Sequence, residues 1–177
     1  MEQKGLMTGY SDTTLFGVGD SLTRAQLAMI LWRQAGKPEA SSDANETGMP
    51  DVEAGQWYTS AANWAVARGV IKGVELADGT RAFQPDEPAT FEQAVVILGN
   101  YAAQNDVAAA DTAVLSRFVD QAGIASWSAQ SMAWAVEKGL ITGYEEPDGY
   151  YARAGENMPR ERGAVLLKRA FELGILK

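Results

Sequence analysis

The hydrophobic positions of this chain fall into short stretches of near-helical spacing separated by polar, glycine-rich connectors, and the same stretches return further along the sequence. In residues 57–68 the apolar residues Trp57, Ala61, Trp64 and Ala65 follow that spacing, and in residues 127–138 Trp127, Met132, Trp134 and Ala135 do the same. Each stretch runs to a glycine, Gly69 or Gly139, which suits the left-handed backbone that closes a helix. These stretches are read as the leading helix of a repeated unit. A trailing helix is predicted at residues 23–32, 90–98 and 159–167. Thr23 and Thr90 are N-cap residues, Gln26 and Gln93 are placed to complete capping boxes, and Pro159 is expected at the first helical position. The expectation is a mainly helical protein with five such helices.

A glycine string fixes the repeat: Gly5-Leu6-Met7-Thr8-Gly9, Gly69-Val70-Ile71-Lys72-Gly73 and Gly139-Leu140-Ile141-Thr142-Gly143 follow one another at steps of 64 and 70 residues. Turn-rich loops lead from each string to the trailing helix, from Asp12 to Asp20, Asp78 to Pro88 and Asp148 to Glu156. Brief extended pieces are expected in them near Phe16, Phe83 and Tyr150-Tyr151. Met49-Pro50-Asp51-Val52 and Phe118-Val119-Asp120 open the second and third units. The expected organisation is a partial unit at 1–36, complete units at 49–103 and 118–177, and linkers at 37–48 and 104–117, the latter with a short helix near 107–115. Only four residues precede Gly5, so the first unit reads as lacking its leading helix, and the chain as a piece of something longer. Apolar area left uncovered by that helix is expected to favour self-association or to recruit the 107–115 segment.

Composition narrows the chemistry. A hydrophobic share of 46% allows a buried core, and no apolar stretch approaches the roughly 18 to 20 residues of a membrane span. Lys plus Arg number 15 against 23 Asp plus Glu, a net charge of −8 with the basic residues scattered, which argues against nucleic acid. The absence of Cys and His removes thiolate nucleophiles, disulfides, His-based triads and zinc fingers. No apolar segment of signal-peptide type follows Met1.

Several motifs in order now carry a resemblance: Met49-Pro50-Asp51-Val52, Trp57-Tyr58, Gly69-Val70-Ile71-Lys72-Gly73, Asp78-Gly79, Phe83-Gln84-Pro85-Asp86, Thr90, and Leu22-Thr23-Arg24-Ala25-Gln26. The chain resembles the S-layer homology repeat over nearly its whole length. The resemblance implies a pseudo-threefold helical repeat domain with grooves between neighbouring repeats. It also implies non-covalent attachment of a secreted protein to a bacterial cell wall, through a pyruvylated secondary cell-wall polysaccharide. In that family an arginine after the N-cap threonine contacts the acidic sugar. Here Arg24 stands at that place with Gln26 where the family has Glu, Arg160 follows Pro159 and precedes Glu161 and Arg162, and Phe91 replaces the arginine in the second copy. The second groove is therefore expected to be inactive.

The candidate ligand-binding residues are Arg24, Arg160, Gln26, Arg162, Trp57 and Trp127, the tryptophans as sugar-stacking platforms at the helix entrance. Trp64 and Trp134 are expected in the core. Lys4, Arg68 and Lys138 complement the negative end of the leading helix, and Asp51 and Asp120 read as helix caps or turn-ordering residues. The acidic loop residues lack EF-hand spacing, and neither a metal nor a cofactor is expected. Two other classes stand beside the wall anchor: a protein-interaction module, and a glycoside hydrolase using paired carboxylates. Acidic residues that recur with the repeat suggest scaffold, so no catalytic residue is assigned.

Overall fold

Thr23 begins the first helix by a reciprocal arrangement: its hydroxyl accepts from the Gln26 N–H at 3.3 Å, and the Gln26 side chain accepts from the Thr23 N–H at 3.1 Å. That is the capping box expected from the sequence, and α1 runs Arg24–Gln34. The structure, a computed structural model, describes residue 17, residues 19–102 and residues 104–176. The first glycine string, Lys4, Asp12 and Phe16 lie outside the described residues. The remaining elements are α2 (Thr59–Ala67), the hairpin β1 (Val74–Glu75) and β2 (Arg81–Ala82), α3 (Phe91–Ala102), α4 (Gln104–Ala108), α5 (Ala129–Glu137), the hairpin β3 (Tyr144–Glu146) and β4 (Gly149–Tyr151), and α6 (Arg160–Glu172). Short 3-10 turns at Thr112–Arg117 and Gln121–Gly123 lead into α5. Helix dominates the described residues, as the periodicity predicts, and the named strands form two antiparallel hairpins.

The described residues form two compact units, one of residues 22–88 and one of residues 17, 19–21 and 89–176. Their boundary falls inside the second repeat. In the first unit α1 packs on α2, the trailing helix of one repeat on the leading helix of the next, and in the second unit α3 packs on α5 in the same way. Leu22, Ala25, Leu31, Ala61 and Ala65 fill the first core; Val95, Leu98, Met132, Trp134 and Ala135 fill the second. Trp64 and Trp134 are both buried, as expected.

The linker preceding α2 is held by one side chain. The buried Asn63 amide accepts from the Glu46 N–H at 2.9 Å and donates to the Ser41 and Ala44 carbonyls at 3.0 and 2.8 Å. In the second unit the corresponding work is done by packing, since Ala133 stands where α2 has Asn63 and the Val107 side chain presses on Gly99 of α3. The segment near 107–115 thus lies against α3 and α5, with Ala110 and Leu115 buried.

Two boundaries differ from the sequence reading. The leading helices start at Thr59 and Ala129, two residues after Trp57 and Trp127, because turns closed by Thr59 N–H to Gln56 O and Ser128 N–H to Ala125 O precede them. The tryptophans project from those turns, while Ala61, Trp64 and Met132 carry the buried face. Pro159 is the N-cap of α6 and not its first helical residue: its ψ of 154° is extended, and Arg160 opens the helix.

The two glycines of each string have different reasons. Gly69 and Gly139, at φ of +67° and +72°, close α2 and α5. Gly73 and Gly143 also have positive φ, but there the neighbours are close: an added Cβ would come within 2.7 Å of Met49 Cε in one case and 2.7 Å of Phe118 Cε1 in the other. The residue that opens each complete repeat therefore packs onto its second string glycine.

Candidate functional site

The site is built outward from a carboxylate and a backbone loop. Asp51 accepts from the Phe83 and Gln84 N–H groups at 2.8 and 2.6 Å, and Asp120 accepts from the Ala152 and Arg153 N–H groups at 2.7 Å each. The loops have the same shape, since Gln84 and Arg153 both take left-handed backbone with φ of 55° and 51°. The sequence suggested caps of α2 and α5 or local turn residues; instead, each carboxylate ties the strand-end of its own repeat, 32 and 33 residues on. Charge-assisted bonds to two successive N–H groups fix where the following carbonyls point.

Those loops also satisfy the helix starts. The first N–H groups of α1 donate to Glu87 O and Pro85 O at 3.1 and 3.0 Å, and those of α3 donate to Glu156 O and Ala154 O at 2.9 and 3.0 Å. At α6 the Arg160 N–H donates to Asp20 O at 2.8 Å. Donors that a helix would otherwise present to solvent or ligand are thus taken up by loop carbonyls.

Within this frame the first unit places Arg24, at the start of α1, deep in the fold. It is 4% exposed, its Nε donates to Phe83 O at 2.7 Å, and its guanidinium carbon lies 6.0 Å from the Phe83 ring centroid. Burial lowers its pKa, with the nearby Asp51 charge opposing the shift. Gln26 is engaged in the capping box. Trp57 is 56% exposed and meets Tyr58 edge-on, with centroids 5.4 Å apart.

The second unit holds a groove of about 340 Å³ between the start of α3, the β3–β4 hairpin and α6. Phe91, Phe118, Ile141 and Val165 supply apolar wall, while Arg162, Arg169, Glu161 and Thr142 supply polar groups. Arg162 projects from the third position of α6. Its Nη2 donates to Ala152 O at 2.8 Å and Nη1 to Arg153 O at 3.3 Å. The guanidinium carbon lies 3.4 Å from the Phe91 ring centroid and 4.7 Å from that of Tyr144. Burial lowers the Arg162 pKa as well, opposed by Tyr144 and Glu156. Arg169 donates to Leu140 O at 3.2 Å.

Of the sequence candidates, then, Arg162 is the one that lines this groove. Arg160 is buried beside it in sequence but is not a lining residue, and Trp127, 57% exposed, stands outside the groove. Tyr144, Arg169 and the clamp formed by Asp120 were not singled out by the sequence. Tyr144 carried a readable signal, since it follows Gly143 as Val74 follows Gly73, an aromatic where the other repeat has an aliphatic residue.

The family model of the S-layer homology domain matches residues 1–28, 48–95 and 117–151. An amylopullulanase of Thermoanaerobacterium thermosulfurigenes is 28% identical over 174 residues, 94% of this chain and 8% of the relative. The cell surface glycoprotein 1 of Acetivibrio thermocellus is 28% identical over 181 residues, 99% of this chain and 7% of its own length. The exoglucanase XynX of Acetivibrio thermocellus is 28% identical over 174 residues, 94% of this chain and 14% of the relative. The chain thus spans a small fraction of each of these relatives. Three family matches in order, covering more than half of the residues, show that the chain belongs to the S-layer homology domain family.

Proposed function

We propose that this chain is a non-catalytic wall-attachment module that binds an anionic, pyruvylated secondary cell-wall polysaccharide. The observation that carries the reading is the groove in the second unit, where apolar walls surround the Arg162 guanidinium. A sugar offers a ring with apolar edges, and a ketal carboxylate offers two acceptor oxygens matched to a guanidinium fork. Arg24 and Arg160 are the corresponding arginines of the first and third copies, and the exposed Trp57 and Trp127, each in its own unit, offer rings on which a sugar can stack. The commitment of Asp51 and Asp120 to backbone N–H groups supports a scaffold role over catalysis.

The relatives support a portable module. An amylopullulanase, an exoglucanase and a surface glycoprotein, three differently named proteins, share this stretch, and it makes up 14% or less of each. The test is co-sedimentation of the purified chain with cell-wall sacculi, before and after extraction of secondary polymers and after mild acid removal of pyruvate. Binding that disappears with either treatment is the expected result. Unchanged sedimentation after both would remove polysaccharide recognition and favour a protein partner.

A further inference from the structure

Phe91 occupies the first position of α3, where α1 has Arg24, and on sequence grounds this leaves the second copy without its arginine. We infer that Arg162, reaching over from α6, supplies the guanidinium in that place and makes the groove at Phe91 a working carboxylate-binding site. The inference rests on the wall-attachment reading for the identity of the carboxylate.

The equivalence is geometric. Phe83 O and Ala152 O are the same structural point, because Asp51 and Asp120 hold the two loops by the same pair of N–H bonds. Arg24 reaches that point from the first position of its helix at 2.7 Å, and Arg162 reaches it from the third position of a different helix at 2.8 Å. Two arginines could not share one carbonyl without bringing like charges together. A phenyl ring at position 91 removes the competitor and offers a flat face to the incoming guanidinium.

The local chain chemistry explains why Arg162 is available. At the same helical position Gln26 and Gln93 are used to close capping boxes on Thr23 and Thr90. Pro159 has neither a hydroxyl nor a backbone N–H, so a glutamine at position 162 would have no box to close. The position is thereby freed for a side chain that extends into the groove.

The charge itself points to an anion. Arg153 nearby is paired with Glu146 at 2.6 Å, whereas among the described residues Arg162 is held by two carbonyls and two rings, with no carboxylate at salt-bridge distance. A half-buried guanidinium that is oriented, with Glu156 and Asp120 acting on it from a distance but no carboxylate in contact, can take an anionic ligand.

The experiment is calorimetric titration of the whole chain with a pyruvate ketal of a methyl hexoside, using its methyl ester and inorganic phosphate as comparison probes. Arg162→Gln is expected to weaken ketal binding by about tenfold or more while leaving ester binding unchanged, and Arg162→Lys is expected to lose a similar amount because lysine cannot fork. Circular dichroism establishes that each variant is folded. Equal ketal affinity of wild type and Arg162→Gln, with wild type still sedimenting with sacculi, overturns this inference alone. Wild type that binds neither sacculi nor ketal overturns the functional reading and this inference together. Phosphate binding as tight as the ketal overturns the assignment of a carboxylate.

Discussion

The two units carry the same clamped loop and the same capped helix start, yet a different helix delivers the guanidinium. In the first unit the arginine belongs to the helix being capped, and it is sealed at 4% exposure. In the second the capped helix offers only a ring, and the arginine comes from α6 into an open groove. What the units have in common is a carbonyl held at a fixed point. Motif-by-motif alignment follows the residue and so misses that the position has been refilled from elsewhere.

Removing the clamp is the hardest blow to the comparison. Asp120→Ala should cost about 3 kcal/mol or more, since two charge-assisted bonds are lost and two N–H groups lose their partners, and Asp51→Ala should cost the same in the first unit. Urea denaturation of both variants checks it. A large loss at one aspartate and a negligible one at the other would show that the two loops are not mechanically equivalent.

The second string glycines separate the units more finely. Both Gly73→Ala and Gly143→Ala place a side chain at positive φ, a strain of roughly 1 to 3 kcal/mol. The Met49 thioether end can swing away from the new methyl, whereas Phe118 is a ring buried in the core. Gly143→Ala should therefore lower stability by about 1 kcal/mol more than Gly73→Ala, by the usual cost of overpacking a rigid neighbour. Paired thermal melts will report the difference.

The smallest effect concerns the freed position. Replacing Pro159 by Thr together with Arg162→Gln installs on α6 the capping box seen at α1 and α3, worth about 1 kcal/mol, but forfeits the Arg162 bonds to Ala152 O and Arg153 O, so stability should change by less than about 1 kcal/mol while ketal binding falls. Stability without loss of binding would mean that the proline and the arginine are unrelated choices.

Much of the helical frame was legible because it is local. Capping boxes, the glycine C-caps and the buried Trp64 and Trp134 each depend on residues within a turn or two of one another. The clamp was not legible. Asp51 and Asp120 find their partners across a leading helix and a hairpin, and spacing along the chain gives no hint of which N–H groups a carboxylate will meet. Trp57 and Trp127 misled for a related reason: their spacing extends the apolar face by one turn, but the backbone there is already closed by preceding turns. Arg162 was noticed as one of several charges near a helix start, while its contact with Phe91 depends on tertiary folding.

The Asp clamp has a consequence for sequence drift. It holds residues 83–84 and 152–153 through main-chain N–H groups, so it makes no side-chain contact there beyond excluding proline and favouring residues that tolerate positive φ at 84 and 153. The two loops have already diverged, with Phe83 and Gln84 in one and Ala152 and Arg153 in the other, while the presented oxygen stays in place. Mutation at the half-buried positions 84 and 153 can therefore alter the rim in size or charge, within what left-handed backbone tolerates, without dismantling the point to which an arginine is anchored, while Phe83 and Ala152 stay fixed by the core. Such an arrangement lets the preference of one binding surface be retuned in small steps while its neighbour goes on unchanged.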